Sequence, residues 1–321
     1  MTHDAEAGMA TGGISPLPAP RRETPREESR QDAVGHDGHR LRPAAPWVSR
    51  KLAFIEFFAP HAIDAAANRE RRVYVDLFAG PGRYLVRESD TEVEAGSLAL
   101  LRSRGARRGD LAFTHAHLVN LDAADTQALE ARVDALRQRR ACQLPRNDIR
   151  LHTGDANALA RRLLTQADKL DYLLVSAELE APRQLPWETV RHLRAGGHRN
   201  LDLWLLFPLD LGLPRLTSWR SMPDGHEEMV TRFFGDESWK PILDDEVTEA
   251  RLEECRAALE TLYREKLGGL WEKVEPVMQV KVSEARGLAR MLFATDRAAA
   301  ARIAEWATRE ANSTDQLGFG F

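Results

Sequence analysis

The sequence predicts an α/β fold: a seven-stranded, mostly parallel sheet with helices on both faces and its last strand antiparallel. Three observations carry this. Short apolar runs rich in β-branched and aromatic residues alternate with longer stretches whose apolar residues recur at helical spacing, the pattern of a helix-covered parallel sheet. The first run, Val73, Tyr74, Val75, Leu77 and Phe78, leads straight into Ala79-Gly80-Pro81-Gly82, a turn with little side-chain bulk. The last two runs, 274–282 and 288–295, are separated only by residues 283–287. That is too short for a parallel crossover, so the two must pair antiparallel.

Taken in order, residues 1–45 are poor in large apolar residues and carry prolines at 16, 18, 20, 25 and 43. Such a segment buries too little to offset its ordering entropy and is expected to be a disordered tail. An ordered domain is expected over 46–312. Leu52, Ile55, Phe58, Ala62 and Ile63 predict an amphipathic helix over 48–67. The strand 72–79 and its glycine turn follow, then a polar, acidic loop over 86–96 and a short helix from Leu98. A second strand covers 112–121. The helix 124–139 sets Leu129, Val133 and Leu136 on one face and Arg132, Arg137 and Arg139 on the other. Further strands are expected at 149–152, 171–175 and 201–207, with helices at 157–167 and 187–195. Residues 210–245, with their prolines and glycines, read as an insertion. The helix 246–267 ends at Gly268-Gly269. The helix 297–310 closes the domain, and 313–321 reads as a C-terminal tail.

Composition narrows the function classes. With 43% hydrophobic residues in 321, a substantial core forms. A net charge of −4 does not call for a nucleic-acid partner or an anionic membrane, while leaving nucleic acid open. Two cysteines, Cys142 and Cys255, have neither metal-ligand spacing nor the density of a disulfide framework, so a reducing cytoplasm is the expected setting. No apolar stretch approaches the ~20 residues of a membrane span. His115 and His117 share a strand face but lack a third ligand nearby, so no metal site is expected.

The chemistry gathers at strand ends, where open α/β sheets bind ligands. Asp76 and the turn Phe78-Ala79-Gly80-Pro81-Gly82 end the first strand. A dinucleotide fingerprint would want glycine at position 85, which is Leu85, and a P-loop would want Gly-Lys-Ser/Thr where Arg83-Tyr84 stand. Asp122 ends the second strand, and Asp155 with Ala156 ends the third. Each of these acids is placed either to accept from a ligand or to cap the following helix, and the roles are compatible. After the fourth strand come Ser176-Ala177-Glu178-Leu179-Glu180. Glu178 and Glu180 are the candidate catalytic carboxylates, as general base or amine-orienting group; the alternative is a pair of surface carboxylates.

The turn resembles the first motif of class I S-adenosylmethionine (SAM) methyltransferases, and the closing antiparallel strand matches their arrangement. The resemblance implies a Rossmann-like class I methyltransferase fold with SAM as cofactor. It implies cofactor binding by Asp76, Phe78, Ala79, Gly80, Gly82, Asp122, Asp155 and Ala156. The cytosine-C5 DNA methyltransferases share Asp-Leu-Phe-Ala-Gly-x-Gly but need a cysteine after the fourth strand, whereas Cys142 precedes the third. More narrowly, the chain resembles the bacterial three-Cys-motif partner protein family. The matching pieces are Trp47–Leu52, Tyr74–Tyr84, Gly96-Ser97, Leu185–Thr189, Phe207-Pro208, Tyr263–Leu267 and Leu292–Thr295. This implies a protein partner with a three-cysteine motif. Similar proteins carry Asp-Pro-aromatic-Gly after the fourth strand. Here Glu178 takes the Asp position, Leu179 the Pro position, and the aromatic and glycine are missing.

Overall fold

In the main sheet of the computed structural model, the strands lie in the order Lys273–Ser283 (β10), Gly287–Thr295 (β11), Leu201–Pro208 (β9), Tyr172–Ala177 (β8), Arg72–Asp76 (β3), His115–Asn120 (β6) and Ile149–Thr153 (β7). The structure describes residues 33–316, apart from 87, 143, 145–147, 180, 211–217, 245–247 and 284–286. From β9 to β7 every neighbouring pair is parallel. The last strand in sequence, β11, is antiparallel to both β9 and β10. It is therefore inserted between the fifth and sixth strands of this sheet, the arrangement of class I methyltransferases.

Strand alternation sorts the core into two layers. Tyr74, Leu118, Leu174 and Trp204 point to one face. They meet Trp47–Ala65 (α1), Gly96–Arg102 (α2), Ala123–Gln138 (α3) and Ala298–Gln316 (α8). Val73, Val75, Val119 and Val175 point to the other face. There they meet Ala156–Gln166 (α4), Trp187–Ala195 (α5), His226–Phe234 (α6) and Glu249–Gly268 (α7). The anchor of α1 is Phe58, fully buried, with its ring 5.0 Å from Trp204 and 5.2 Å from Phe293. Truncating such a side chain to alanine costs about 3–5 kcal/mol.

Four short strands form a second sheet in the order β1 (Ala33–Val34), β2 (Arg40–Ala44), β4 (Arg83–Val86) and β5 (Thr91–Glu94). This corrects two expectations. Residues 33–44 are not part of a disordered tail, because Leu41 is buried and charged side chains tie the hairpin to α3. The span 86–96 is not simply a loop: β4 and β5 pair antiparallel. Residues 1–32 lie outside the described residues. At the other end, α8 runs to Gln316, into the expected C-terminal tail, and 317–321 lie outside the description. In the expected insertion, 211–217 are likewise outside it. The remainder folds as α6 with short 3-10 turns, burying Phe233, Phe234 and Trp239.

Candidate functional site

The glycine turn is stitched to the strands on either side of β3. Leu77 N–H donates to the Ser176 carbonyl at the end of β8, and Ala79 N–H to Val119 in β6, both at 3.0 Å. The Gly80 carbonyl accepts from the buried Asn120 amide at 3.0 Å. Gly80 and Gly82 have φ of +64° and +89°, a region that disfavours side chains. Their surroundings differ. A Cβ at Gly80 would meet only the Tyr84 hydroxyl at 3.5 Å, an ordinary contact, whereas one at Gly82 would lie 2.9 Å from Leu129 and 3.2 Å from Leu98. The bareness of Gly82 thus serves packing against α2 and α3.

Asp76 is 5% exposed. Its carboxylate accepts from the Tyr74 hydroxyl at 2.6 Å and from Phe78 N–H at 3.1 Å. Burial pushes its carboxyl up to about 7; the charge of Glu178 adds to this, while the two hydrogen bonds and Lys51 oppose it. Glu178 follows β8 directly, and its Oε2 accepts from Lys51 Nζ at 2.6 Å. The Lys51 side chain is 2% exposed, and its ammonium stands 5.4 Å and 5.5 Å from the Trp47 and Tyr84 rings. Burial also pushes the Tyr84 hydroxyl up to about 12, with Lys51 opposing. Beside them the Ser97 hydroxyl, on the residue after Gly96, is buried and has no hydrogen-bond partner among the described residues.

The other predicted residues lie at the ends of β6 and β7. Asp122 caps α3, accepting from Ala124 N–H at 2.8 Å, and its second oxygen accepts from Arg40 at 2.5 Å. These bonds hold its carboxyl below the usual range, Arg40 contributing most. Asp155 caps α4 through Asn157 N–H at 2.9 Å, and Ala156 is buried behind it. Phe78 is half-buried, packed on the layer of α4 and α5. Glu180 lies outside the described residues. Past Glu178 in the chain, a solvent-open cleft lies between residues 182–186 and α6, lined by Arg183, Glu228, Met229 and Arg232.

Sequence reasoning missed four contributors. Leu121, beside Asp122, is 80% exposed, an apolar side chain left uncovered at the carboxyl edge of the sheet. Arg40 belongs to a segment expected to be disordered. Arg132, expected on the solvent face of its helix, is buried and donates to the Pro81 carbonyl at 2.7 Å while pairing with Asp37. Lys51 had a signal: it stands three, four and seven residues before Phe54, Ile55 and Phe58, on the apolar stripe. The His115/His117 pair resolves differently. His117 contacts His152 at 3.1 Å, and burial pushes it down to about 4. His115 faces Asp148 at 3.8 Å. Among the described residues no group of three or more potential ligands gathers.

The chain thus has a class I methyltransferase-like fold, with acids at the ends of its first four parallel strands in sequence. No family model and no curated protein matches it. Among solved structures it is similar to the Escherichia coli protein yhhF, described as a candidate methyltransferase, at 14% identity over 81% of this chain and 94% of that one, with a TM-score of 0.36. A candidate O-methyltransferase from Klebsiella pneumoniae matches at 10% identity over 81% and 84%, with a TM-score of 0.40. A spermidine synthase bound to the transition-state analogue AdoDATO matches at 11% over 83% and 65%, with a TM-score of 0.37. At these scores the likenesses bear on neither substrate nor mechanism. No helix among the described residues is long and apolar enough to cross a membrane.

Proposed function

We propose that the chain is a SAM-dependent methyltransferase that binds its cofactor along the carboxyl ends of β3, β6 and β7. The observation that carries this reading is the convergence of Asp76, Asp122, Asp155 and Glu178 on one edge of a sheet whose last strand is inserted antiparallel. The residues present fit the group. Asp76 is a buried carboxylate matched to an ammonium, Gly80 leaves its turn open, Asp122 suits ribose hydroxyls and Asp155 an exocyclic amine. Phe78, Ala156 and Leu121 offer apolar surface to a purine. Bound there, SAM would supply a sulfonium methyl for transfer, leaving S-adenosylhomocysteine.

Glu178 orients the acceptor. Its Oε2 is held by Lys51, and its Oε1 lies 3.8 Å from where a Cβ on Gly96 would stand. That oxygen is positioned to accept from an N–H or O–H of the acceptor and so aim its lone pair. Such positioning supplies much of the catalysis of group transfer. Glu180 remains the second candidate in the same loop. We assign the protein to a reducing cytoplasm, since Cys142 and Cys255 are buried free thiols. We also infer, from the resemblance to three-Cys-motif partner proteins, a protein partner of that kind.

One observation favours a second reading, a SAM-binding subunit that is catalytically silent and serves that partner. Lys51 neutralises the carboxylate at the acceptor position, and the motif that usually follows the fourth strand is altered. Calorimetric titration with S-adenosylhomocysteine tests the cofactor, and single-turnover transfer of labelled methyl to a cell extract tests the chemistry. Micromolar binding with transfer supports the enzyme. Binding without transfer selects the silent subunit, and no binding removes both.

A further inference from the structure

Lys51 occupies a place where helix packing asks for an apolar side chain. It lies on the buried stripe of α1, and a methionine would fill the space without desolvating an ammonium. Two carboxylates meet that ammonium instead. Glu178 accepts from it at 2.6 Å, the sole hydrogen bond of Glu178 among the described residues. Asp76 is near enough to feel its charge. A buried and a half-buried acid thus share one buried cation, and with Asp76 ionised the three groups together carry one net negative charge. Asp76 has its hydrogen bonds from Tyr74 and Phe78, but neither donor brings a charge.

We propose that Lys51 is a positioning residue of this site: by pairing with Glu178 it keeps Asp76 available to a ligand ammonium, so that cofactor binding depends on the Lys51–Glu178 pair. This rests on the reading of Asp76 as the group that receives the cofactor's ammonium. A proton and that ammonium compete for one carboxylate. The groups facing Asp76 are Tyr74 on its own strand, Glu178 after β8, Lys51 on α1 and Tyr84 on β4. Both tyrosines stay neutral near pH 7, because burial pushes their hydroxyls up. Lys51 and Glu178 therefore set the balance, and they act with opposite sign. Removing the lysine charge makes Asp76 harder to ionise, and removing the glutamate charge makes it easier.

The test is calorimetric titration of S-adenosylhomocysteine into wild type, Lys51→Met, Lys51→Arg and Glu178→Gln between pH 6 and 8.5. With the Asp76 carboxyl at about 7, wild-type affinity is expected to rise about tenfold from pH 6 to 8, as the ionised fraction grows. Lys51→Met is expected to bind about tenfold or more weakly at pH 7, with its rise displaced to higher pH. Lys51→Arg is expected to keep the wild-type profile, and Glu178→Gln to displace it to lower pH. A Lys51→Met protein with wild-type affinity and profile, or with the same loss at every pH, overturns the proposal and leaves the cofactor reading standing. Wild type that binds nothing at any pH overturns both. Should Lys51→Met fail to melt cooperatively, Glu178→Gln decides: an unmoved profile overturns the proposal.

Discussion

Replacing Asp76 with asparagine is expected to stabilise the fold and abolish cofactor binding together. The folded carboxyl titrates at about 7, against 3.8 for the ordinary group. The sign follows from proton linkage. Between about pH 4 and 7 the folded state holds a proton that the unfolded state has released, so stability falls as pH rises through that window and is flat above it. The rise from 3.8 to about 7 corresponds to about 4 kcal/mol, at about 1.4 kcal/mol per tenfold. Asp76 is 5% exposed, so solvent screens little of this. Asparagine fits the same hydrogen bonds: its carbonyl accepts from Phe78 N–H, and its amide donates to the Tyr74 oxygen. At pH 8 the variant should therefore melt on the order of 10 °C above wild type. At pH 5, about a third of the way up that window, the gap should shrink to less than half of this. Thermal melts at both pH values, with an S-adenosylhomocysteine titration at pH 8, measure both halves. A variant less stable than wild type at pH 8, or with the same loss between pH 5 and 8, would show that burial does not raise the Asp76 carboxyl.

Gly82→Val should destabilise by about 2–4 kcal/mol, from left-handed backbone strain and overlap with Leu98 and Leu129, read as a lower urea midpoint; an unmoved midpoint would show that α2 and α3 yield. Asp122→Ala should lose its helix cap, about 1 kcal/mol of stability, and weaken S-adenosylhomocysteine binding about 10- to 150-fold. Loss of stability with unchanged affinity would leave Asp122 a cap alone. Deleting residues 1–44 should lower the melting temperature by several degrees, because Leu41 leaves the core and the buried Arg132 loses Asp37 and the His39 and Arg40 carbonyls. A melt within a degree of wild type would mean the hairpin contributes nothing.

What was legible in the sequence was whatever rests on local pattern. Val73–Phe78 reads as a buried strand because it is short, apolar and β-branched. The closing hairpin reads from five residues of spacing, and its register, Ser283 opposite Gly287, agrees. The acids at strand ends read in the same way, because a helix start selects aspartate within one turn. Residues 33–44 did not read, because their order comes from one buried leucine and from charges whose partners lie far along the chain. Asp37 and Arg132 are 95 positions apart, and Arg40 and Asp122 are 82. No window of composition contains both ends of such a pair.

Lys51 and Glu178, 127 positions apart, show the same limit at the site itself. Read locally, the lysine breaks an apolar stripe and the glutamate departs from a motif, and each weakens the case for function. Read together, each explains the other. The buried ammonium needs an anion, and a glutamate reaching from the end of β8 supplies it with one oxygen while keeping the second for the site edge. An isolated surface carboxylate at 178 would leave Lys51 unpaired in the core. The two departures are therefore one feature, which the strand topology assembles by bringing the second turn of α1 beside the end of β8.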